Sequence, residues 1–123
     1  MRTEFRTYEF GLIILRNPFK ESPDYGKYCA VKETKGRGWW IPGGAVDFGE
    51  TFHKAAIREC LEEAGIRAEL KGVLKVDHGV QGDMCRMRVI FYAEPVSLEE
   101  SKKLKKVADQ ESEEARWVTI EEL

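Results

Sequence analysis

The amino-acid sequence predicts one α/β domain in which a mixed β-sheet packs between helices. Three observations support this fold class: a length of 123 residues, short apolar runs separated by glycine and proline turns, and one segment with helical periodicity. A chain of this length buries roughly two thirds of the surface that its unfolded state exposes, so it can form a hydrophobic core.

The N-terminal part of the chain is predicted to be mostly extended. Residues 8–15 are apolar and β-branched, which is typical of a buried strand. Pro18, Pro23 and Gly26 predict a loop over residues 17–27. A second strand, a turn, a short strand that ends before Pro-Gly-Gly, and another turn follow in order: residues 27–32, 36–38, 39–41 and 47–49.

A helix is predicted from a cap at or near Thr51 to Ala64, and Gly65 suits the position just after a helix. Four apolar residues recur on one side of this helix and should face the core: Ile57, Cys60, Leu61 and Ala64.

Two longer strands are predicted over residues 68–76 and 88–93, joined by a loop that contains Gly79 and Gly82. Residues 97–112 are charged, and their start fits a capping box, which favours a short helix. A last strand and the start of another helix follow: residues 115–118 and 119–123. The domain is predicted to fill residues 1–123, and the sequence leaves open whether the native chain continues beyond Leu123.

The composition limits the classes of partner. A net charge of −2, from 20 basic and 22 acidic side chains, gives no electrostatic basis for binding duplex nucleic acid or an anionic membrane. The apolar runs are too short to span a bilayer, and residues 1–9 do not resemble a signal peptide. Cys29, Cys60 and Cys85 lack CxxC spacing, which predicts reduced thiols and a cytoplasmic location. The oligomeric state stays open, with a homodimer among the alternatives.

Three glutamates crowd one side of the predicted helix. At about 100° per residue, Glu59, Glu62 and Glu63 fall within an arc of roughly 100°. Glu59 and Glu63 stand four residues apart, a like-charge spacing that weakens a helix by roughly 0.2–0.5 kcal/mol. A divalent cation would turn this repulsion into coordination, because hard cations bind several carboxylate oxygens. The plainer interpretation is a solvated helix face.

The spacing around these glutamates is specific. Gly44 is followed by five residues and Glu50, and seven more residues lead to Arg58-Glu59-Cys60-Leu61-Glu62-Glu63-Ala64-Gly65-Ile66. This pattern resembles the signature of the Nudix hydrolases, except that Cys60 stands where the family usually has an aliphatic residue. The segments before and after it, 39–44 and 116–123, also resemble that family. The resemblance implies a Nudix-like α/β/α sandwich.

The resemblance also implies a reaction, the hydrolysis of a diphosphate linkage in a nucleoside diphosphate derivative by attack of water at phosphorus. The implied cofactor is Mg²⁺ or Mn²⁺, and the implied partner is a small nucleotide-type substrate. The implied metal ligands are three carboxylates and one backbone carbonyl: Glu59, Glu62, Glu63 and Gly44. Glu50 would orient Arg58 or reach a metal.

The resemblance implies that the general base is either a glutamate of the motif or an acid on a distant loop. The loop candidates are Asp109, Glu111, Glu113 and Glu114, of which Glu111 is favoured because it precedes the last strand as such acids often do. The catalytic candidates are therefore Glu50, Arg58, Glu59, Glu62 and Glu111.

The resemblance implies substrate contacts from an aromatic ring, two glycines that allow close backbone approach, and two residues beside the later loop: Trp40, Gly43, Gly44, His78 and Arg86. Trp40 lies on the strand face opposite Trp39, and packing of its ring is the alternative to contact with substrate. Trp39 is expected to pack in the core. The basic run is expected to be a solvated face: Lys102, Lys103, Lys105 and Lys106.

Three other functions compete with hydrolysis. A nucleotide-sensing domain on the same fold would usually lack some of the glutamates, and all are present here. A prenyl diphosphate isomerase would need a catalytic cysteine, whereas Cys60 lies on the apolar side of the helix. A helix-loop-helix calcium protein is excluded because no Asp-rich loop precedes the glutamates. The substrate subtype is not readable from the sequence.

Overall fold

A computed structural model describes residues 6–123, so residues 1–5, which include part of the segment examined for a signal peptide, lie outside the described residues. The described chain forms seven strands and two helices in an α/β arrangement. In chain order they are β1 (Arg6–Leu15), β2 (Tyr28–Glu33), β3 (Gly38–Trp40), β4 (Gly43–Ala45), α1 (Phe52–Ala64), β5 (Ala68–Gln81), β6 (Met84–Pro95), α2 (Leu98–Ser101) and β7 (Glu114–Val118).

The strands divide between two sheets. The larger sheet has the order β4-β1-β6-β5, and the smaller has the order β3-β2-β7. The predicted mixed sheet is confirmed, because β1 runs parallel to β6 while β4 and β5 pair antiparallel with their neighbours. The smaller sheet is antiparallel throughout.

Helix α1 packs across β1 of the larger sheet. At Gly11 on β1, an added Cβ would lie 2.6 Å from the carbonyl oxygen of Phe52. The helix therefore approaches the strand backbone directly. The core around this contact is built from apolar residues of α1, both sheets and the chain after α1: Ile13, Leu15, Cys29, Val31, Ala56, Cys60, Ala64, Ile66, Ala68, Val89, Phe91, Ala93 and Ala115.

The apolar side of α1 is rotated slightly from its prediction. Cys60 and Ala64 are buried as expected, but Leu61 is 39% exposed, so its assignment to the core is wrong. Ala55 and Ala56 are fully buried instead. Small residues occupy these positions because larger side chains would hold α1 away from the β1 backbone.

Strands β5 and β6 form a hairpin joined by a turn of two residues, Gly82 and Asp83, so the longer loop predicted there is wrong. The ladder continues from Asp77 opposite Arg88 to Gln81 opposite Met84, and Gly82 turns with φ +62°. Both faces of this part of β5 are largely exposed, which removes the alternating pattern that identifies a strand. Backbone pairing and an Asp77–Arg88 ion pair of 2.9 Å support it instead.

Three smaller predictions also need correction. Strand β4 was not predicted, because Gly43 and Gly44 have low strand propensity, yet they pair with β1. Trp39 is 40% exposed rather than core, and the Arg116 guanidinium lies 5.0 Å from the centre of its ring. Residues 119–122 form a turn, with hydrogen bonds between Thr119 and Glu122 that resemble a capping box.

The short helix α2 is confirmed, and its cap differs in one detail. The Ser97 side chain accepts from the N–H of Glu100, as a capping box requires. The Glu100 carboxylate instead accepts a bond of 2.8 Å from the N–H of Arg67. All three cysteines are buried with free thiols. Within residues 6–123, no helix has the length and apolar character needed to cross a membrane.

Candidate metal and phosphate site

Both ends of helix α1 are fixed by caps, so the helix holds its side chains in defined positions. The Thr51 side chain accepts a hydrogen bond from the N–H of Lys54, which caps the first turn. Gly65 adopts φ 79°, and its N–H donates to the carbonyl of Leu61. The predicted start and end of the helix are therefore confirmed.

Arg58 organises the loop before α1. Its Nε and Nη2 atoms donate to the two carboxylate oxygens of Glu50 at 2.8 and 3.0 Å. Nη2 also donates to the carbonyl of Ala45 and lies 3.4 Å from Asp47. The hydrogen bond from Arg58 is the main reason that the pKa of Glu50 is lowered, so this pair stays ionised. The structure thus brings Arg58 and Glu50 together as the resemblance implies.

The carboxylates of Glu59, Glu62 and Glu111 lie close together, and Arg58 contacts two of them. Arg58 Nη1 donates to Glu59 at 3.0 Å and to Glu62 at 3.2 Å. Carboxylate oxygens of Glu59, Glu62 and Glu111 all lie within 4.8 Å of one another, and we refer to these three residues as the carboxylate cluster. Burial raises the pKa of Glu59, Arg58 opposes that rise, and the charges of Glu62 and Glu111 add to it.

The carboxylate cluster has the chemistry of a site for a hard divalent cation. Three carboxylates from two separate elements supply oxygen ligands at close range, and a single arginine does not balance their charges. Mg²⁺ and Mn²⁺ prefer oxygen ligands of this kind. The residues present therefore fit the implied metal.

Glu63 lies apart from the carboxylate cluster. Its Oε1 atom accepts a bond of 2.7 Å from the N–H of Gly43, and the residue is 8% exposed. Glu63 therefore contacts β4 at Gly43, whereas Glu59 and Glu62 share the Arg58 guanidinium. Its role as a metal ligand stays a prediction.

Gly43 and Gly44 allow β4 to run between the carboxylate cluster and β1. An added Cβ at Gly44 would lie 2.6 Å from Cδ of Glu59, and one at Gly43 would lie 2.7 Å from Cα of Leu12. Gly43 also adopts φ +154°, which favours glycine. Only glycine at these two positions leaves the Glu59 carboxylate against the strand backbone.

Glu111 is the one loop acid, among the four considered as a general base, that lies in the carboxylate cluster. The other three each lie beside a cation. Asp109, Glu113 and Glu114 contact Lys105, Lys32 and Arg116 in that order.

The burial of Lys105 was not predicted from the sequence. The basic run was expected to be a solvated face, and the side chains of Lys102 and Lys103 are 61% and 63% exposed. The Lys105 side chain is only 10% exposed and contacts α1 and the acidic loop. The Leu104 side chain packs against the core beside it, which is the one local signal that this segment turns inward.

A cleft with a positive lining lies beside β4. Its volume is about 370 Å³. Gly43, Gly44 and Trp40 line it together with four charged residues, which are Glu33, Arg37, Arg86 and Arg88. We refer to it as the cationic cleft. Trp40 is 54% exposed and also borders an apolar cavity of about 540 Å³ between the two sheets. Four of the five predicted substrate-contact residues thus line the cationic cleft.

The fifth residue, His78, lies outside the cationic cleft. It is exposed on β5 and borders a smaller depression with Asp77, Arg86 and Arg88. The hairpin carries it away from β4, because the strand continues where a loop was expected. Contact between His78 and substrate stays a prediction.

Comparison with known proteins gives consistent matches. The sequence profile of the NUDIX domain matches residues 9–123. Nudix hydrolase 10 of Arabidopsis thaliana is 32% identical over 115 residues, which cover 91% of this chain and 37% of that protein. The 8-oxo-dGDP phosphatase NUDT18 of Homo sapiens is 35% identical over 88 residues, which cover 72% of this chain and 25% of that protein.

The fold matches as well. A solved NUDIX hydrolase from Nitrosomonas europaea superimposes with a TM-score of 0.69 at 24% identity, covering 100% of this chain and 62% of that one. The chain spans between 25% and 44% of the length of these and other curated relatives that it matches.

Proposed function

This chain belongs to the NUDIX family, and from that premise we propose that it hydrolyses a diphosphate linkage in a nucleoside diphosphate derivative. The observation that carries the proposal is the position of the carboxylate cluster next to a cleft lined by arginines. A site that binds cations beside a site that binds anions suits a substrate whose phosphates bridge the two.

The proposed cofactor is Mg²⁺ or Mn²⁺. Glu59 and Glu62 would hold it, with Glu63 and the carbonyl of Gly44 as further proposed ligands, and Glu111 lies beside Glu59 and Glu62. When bound, such an ion neutralises charge on phosphate oxygens and lowers the pKa of a coordinated water. Arg58 keeps Glu59 and Glu62 in place before the ion arrives, because it donates to both carboxylates.

Glu111 is the proposed general base. It lies on an exposed loop, so its carboxylate reaches solvent as well as the carboxylate cluster. From that position it can accept a proton from a water that attacks phosphorus. Glu50 acts through Arg58, because its contacts in the site are with that guanidinium and with the backbone N–H of Asp47.

The cationic cleft supports a nucleotide-type substrate. Arg88 is paired with Asp77, and Arg37 and Arg86 still outnumber Glu33 there, so the lining favours an anion. Trp40 offers an exposed ring on which a base can stack. The human relative named an 8-oxo-dGDP phosphatase supports the nucleotide class, and the choice of base is left to experiment.

The test is a panel of nucleoside diphosphate derivatives incubated with Mg²⁺ or Mn²⁺ and followed by mass spectrometry in isotopically labelled water. We expect release of a phosphate-bearing product that carries the label, and a loss of at least about a hundredfold in Glu59→Gln and Glu62→Gln. Glu99→Gln is the matched control, because Glu99 is 80% exposed on α2. Nucleotide-induced stabilisation without any turnover would support a sensor and contradict the proposal.

Two further attributes belong to the same proposal. The protein is expected to act in the cytoplasm on small molecules, without duplex nucleic acid as a partner. Fractionation of cells and a binding assay with duplex DNA would test these expectations.

A further inference from the structure

Lys105 joins the end of α1 to the loop that carries Glu111. Its Nζ atom donates to the carbonyl of Glu62 at 2.9 Å and to Oγ of Ser112 at 2.9 Å. It also donates to the carboxylate of Asp109. With a side chain that is 10% exposed, this lysine is anchored, whereas other lysines of the basic run extend into solvent.

The loop around Lys105 completes the C-terminus of α1. The carbonyl of Glu63 accepts from Ser112 Oγ at 2.7 Å, and that of Ala64 accepts from the N–H of Lys105 at 2.9 Å. With the Lys105 ammonium on the carbonyl of Glu62, three carbonyls that have no partner within the helix are satisfied by the loop. The ammonium also lies where the helix dipole favours a cation.

Asp109 transmits this anchoring to Glu111. Its Oδ1 atom accepts from the N–H of Glu111 at 2.8 Å and from that of Ser112 at 3.2 Å. The N–H of Asp109 in turn donates to the carbonyl of Ser112 at 3.0 Å. The backbone at Glu111 is therefore held in a tight turn over residues 109–112. The Asp109 carboxylate, which accepts the hydrogen bonds of this turn, is bound to Lys105.

We propose that Lys105 is a positioning residue that holds Glu111 in the carboxylate cluster. The inference rests on the proposed function, in which Glu111 is the general base. Without an anchor, an exposed loop that carries a glutamate would move away from Glu59 and Glu62, because their like charges repel it. The ammonium binds the loop to the same helix turn that carries Glu62, so it offsets that repulsion.

A role limited to capping α1 predicts a different result. Loss of a helix cap lowers the stability of the protein. It would therefore lower the activity of every active-site variant by the same factor. A positioning role acts through Glu111 alone, so removing Glu111 should remove the effect of Lys105. The two roles are therefore distinguished by measuring whether the two substitutions are additive.

The experiment measures kcat and KM for Lys105→Met, with and without Glu111→Gln. We expect kcat to fall at least about tenfold in the Lys105→Met single variant, because a shift of a catalytic group by 1 Å costs up to about a hundredfold. KM should change less than about twofold, and Lys105→Met should cause no further loss in the Glu111→Gln background. Equal losses in both backgrounds would overturn the proposal. Lys106→Met is the control, since Lys106 is exposed and forms no ion pair among residues 6–123.

A second variant and a second measurement keep the test independent of folding and of turnover. Asp109→Ala removes the link on an exposed loop and leaves the helix cap, and it should reproduce the kinetic effect of Lys105→Met. Amide hydrogen exchange should accelerate at Glu111 and Ser112 in both variants and stay unchanged in Lys106→Met. Unchanged exchange would refute the anchoring even if no substrate is hydrolysed, whereas faster exchange in an inactive protein would refute only the proposed function.

Discussion

The carboxylate of Glu63 accepts a hydrogen bond of 2.7 Å from the backbone N–H of Gly43. The bond joins α1 to the edge strand β4 through a side chain that is almost fully buried. Burial is the main reason that the pKa of Glu63 is raised to about 8; the Gly43 N–H opposes this rise, and the charges of Glu59, Glu33 and Glu111 add to it. Without a cation nearby, this carboxyl group is protonated near neutral pH.

The Glu63–Gly43 contact predicts that Glu63→Gln stabilises the protein in the absence of metal at alkaline pH. Between the ordinary carboxyl pKa of 4.5 and the raised value of about 8, the unfolded chain has lost the Glu63 proton and the folded chain keeps it. The unfolded state then binds fewer protons, so stability falls as pH rises through this window. Glutamine keeps an acceptor for Gly43 and carries no charge. We expect a gain of about 1–3 kcal/mol near pH 8 and little change near pH 5.

The measurement is urea unfolding of chelator-treated protein at both pH values, with Glu99→Gln as the control. Glu99 is 80% exposed, so its substitution should have no effect that depends on pH. Destabilisation of Glu63→Gln near pH 8 would show that Glu63 is ionised in the folded protein and held by a cation or by the Gly43 N–H alone.

Gly44→Ala is predicted to disrupt the carboxylate cluster while leaving the fold intact. The new methyl group would lie 2.6 Å from Cδ of Glu59, so that carboxylate must rotate away from Glu62 and Glu111. We expect hydrolysis to fall by about a hundredfold and Mn²⁺ affinity to weaken, both measured against Gly72→Ala. Gly72 has open space around it, which makes its substitution a matched control. Full activity with unchanged Mn²⁺ binding would mean that the position of Glu59 against Gly44 is unimportant.

Much of the fold could be predicted because its signals are local. Thr51, Gly65 and the apolar period between them define α1 from residues within one helix. Glu50 lies just before α1 and Arg58 lies within it, eight residues apart. Contacts of this kind are encoded by spacing, which a single sequence displays.

The remainder depends on contacts between distant parts of the chain. Lys105 meets the carbonyl of Glu62 across 43 residues, and that acceptor is a backbone atom whose side chain gives no signal. The exposed end of the β5–β6 hairpin is held by backbone pairing, which hydrophobic periodicity cannot reveal. Trp39 is expected in the core, whereas in the structure the Arg116 guanidinium from another strand lies over its ring.

Arg58→Lys is predicted to fail as a conservative substitution. The guanidinium contacts both oxygens of Glu50, the carbonyl of Ala45, and the carboxylates of Glu59 and Glu62. A single ammonium cannot reproduce this planar set of donors. We expect kcat to fall by about a hundredfold and the free energy of unfolding to fall by about 1–3 kcal/mol, measured by kinetics and urea unfolding.

The control for Arg58→Lys is Arg67→Lys, because Arg67 is exposed and its side chain forms no hydrogen bond among the residues described. Activity in Arg58→Lys equal to that of this control would show that charge alone is sufficient at position 58. Loss of stability without loss of kcat would limit Arg58 to holding the loop before α1.

Trp40→Ala is predicted to weaken substrate binding without affecting the chemical step. The ring is 54% exposed and borders both the cationic cleft and the apolar cavity, so it lies at the boundary between a place for phosphates and a place for a base. Stacking of a base on an aromatic ring contributes about 1–3 kcal/mol, which corresponds to a rise in KM of about fivefold to about 150-fold. Because the ring is half exposed, the free energy of unfolding should change by less than about 1 kcal/mol.

The measurement is steady-state kinetics of Trp40→Ala with a purine and a pyrimidine substrate. The control is Tyr25→Ala, a remote aromatic residue of 45% exposure. A fall in kcat at constant KM would instead place Trp40 among the groups that align the reacting phosphate, and the base would then have to bind elsewhere.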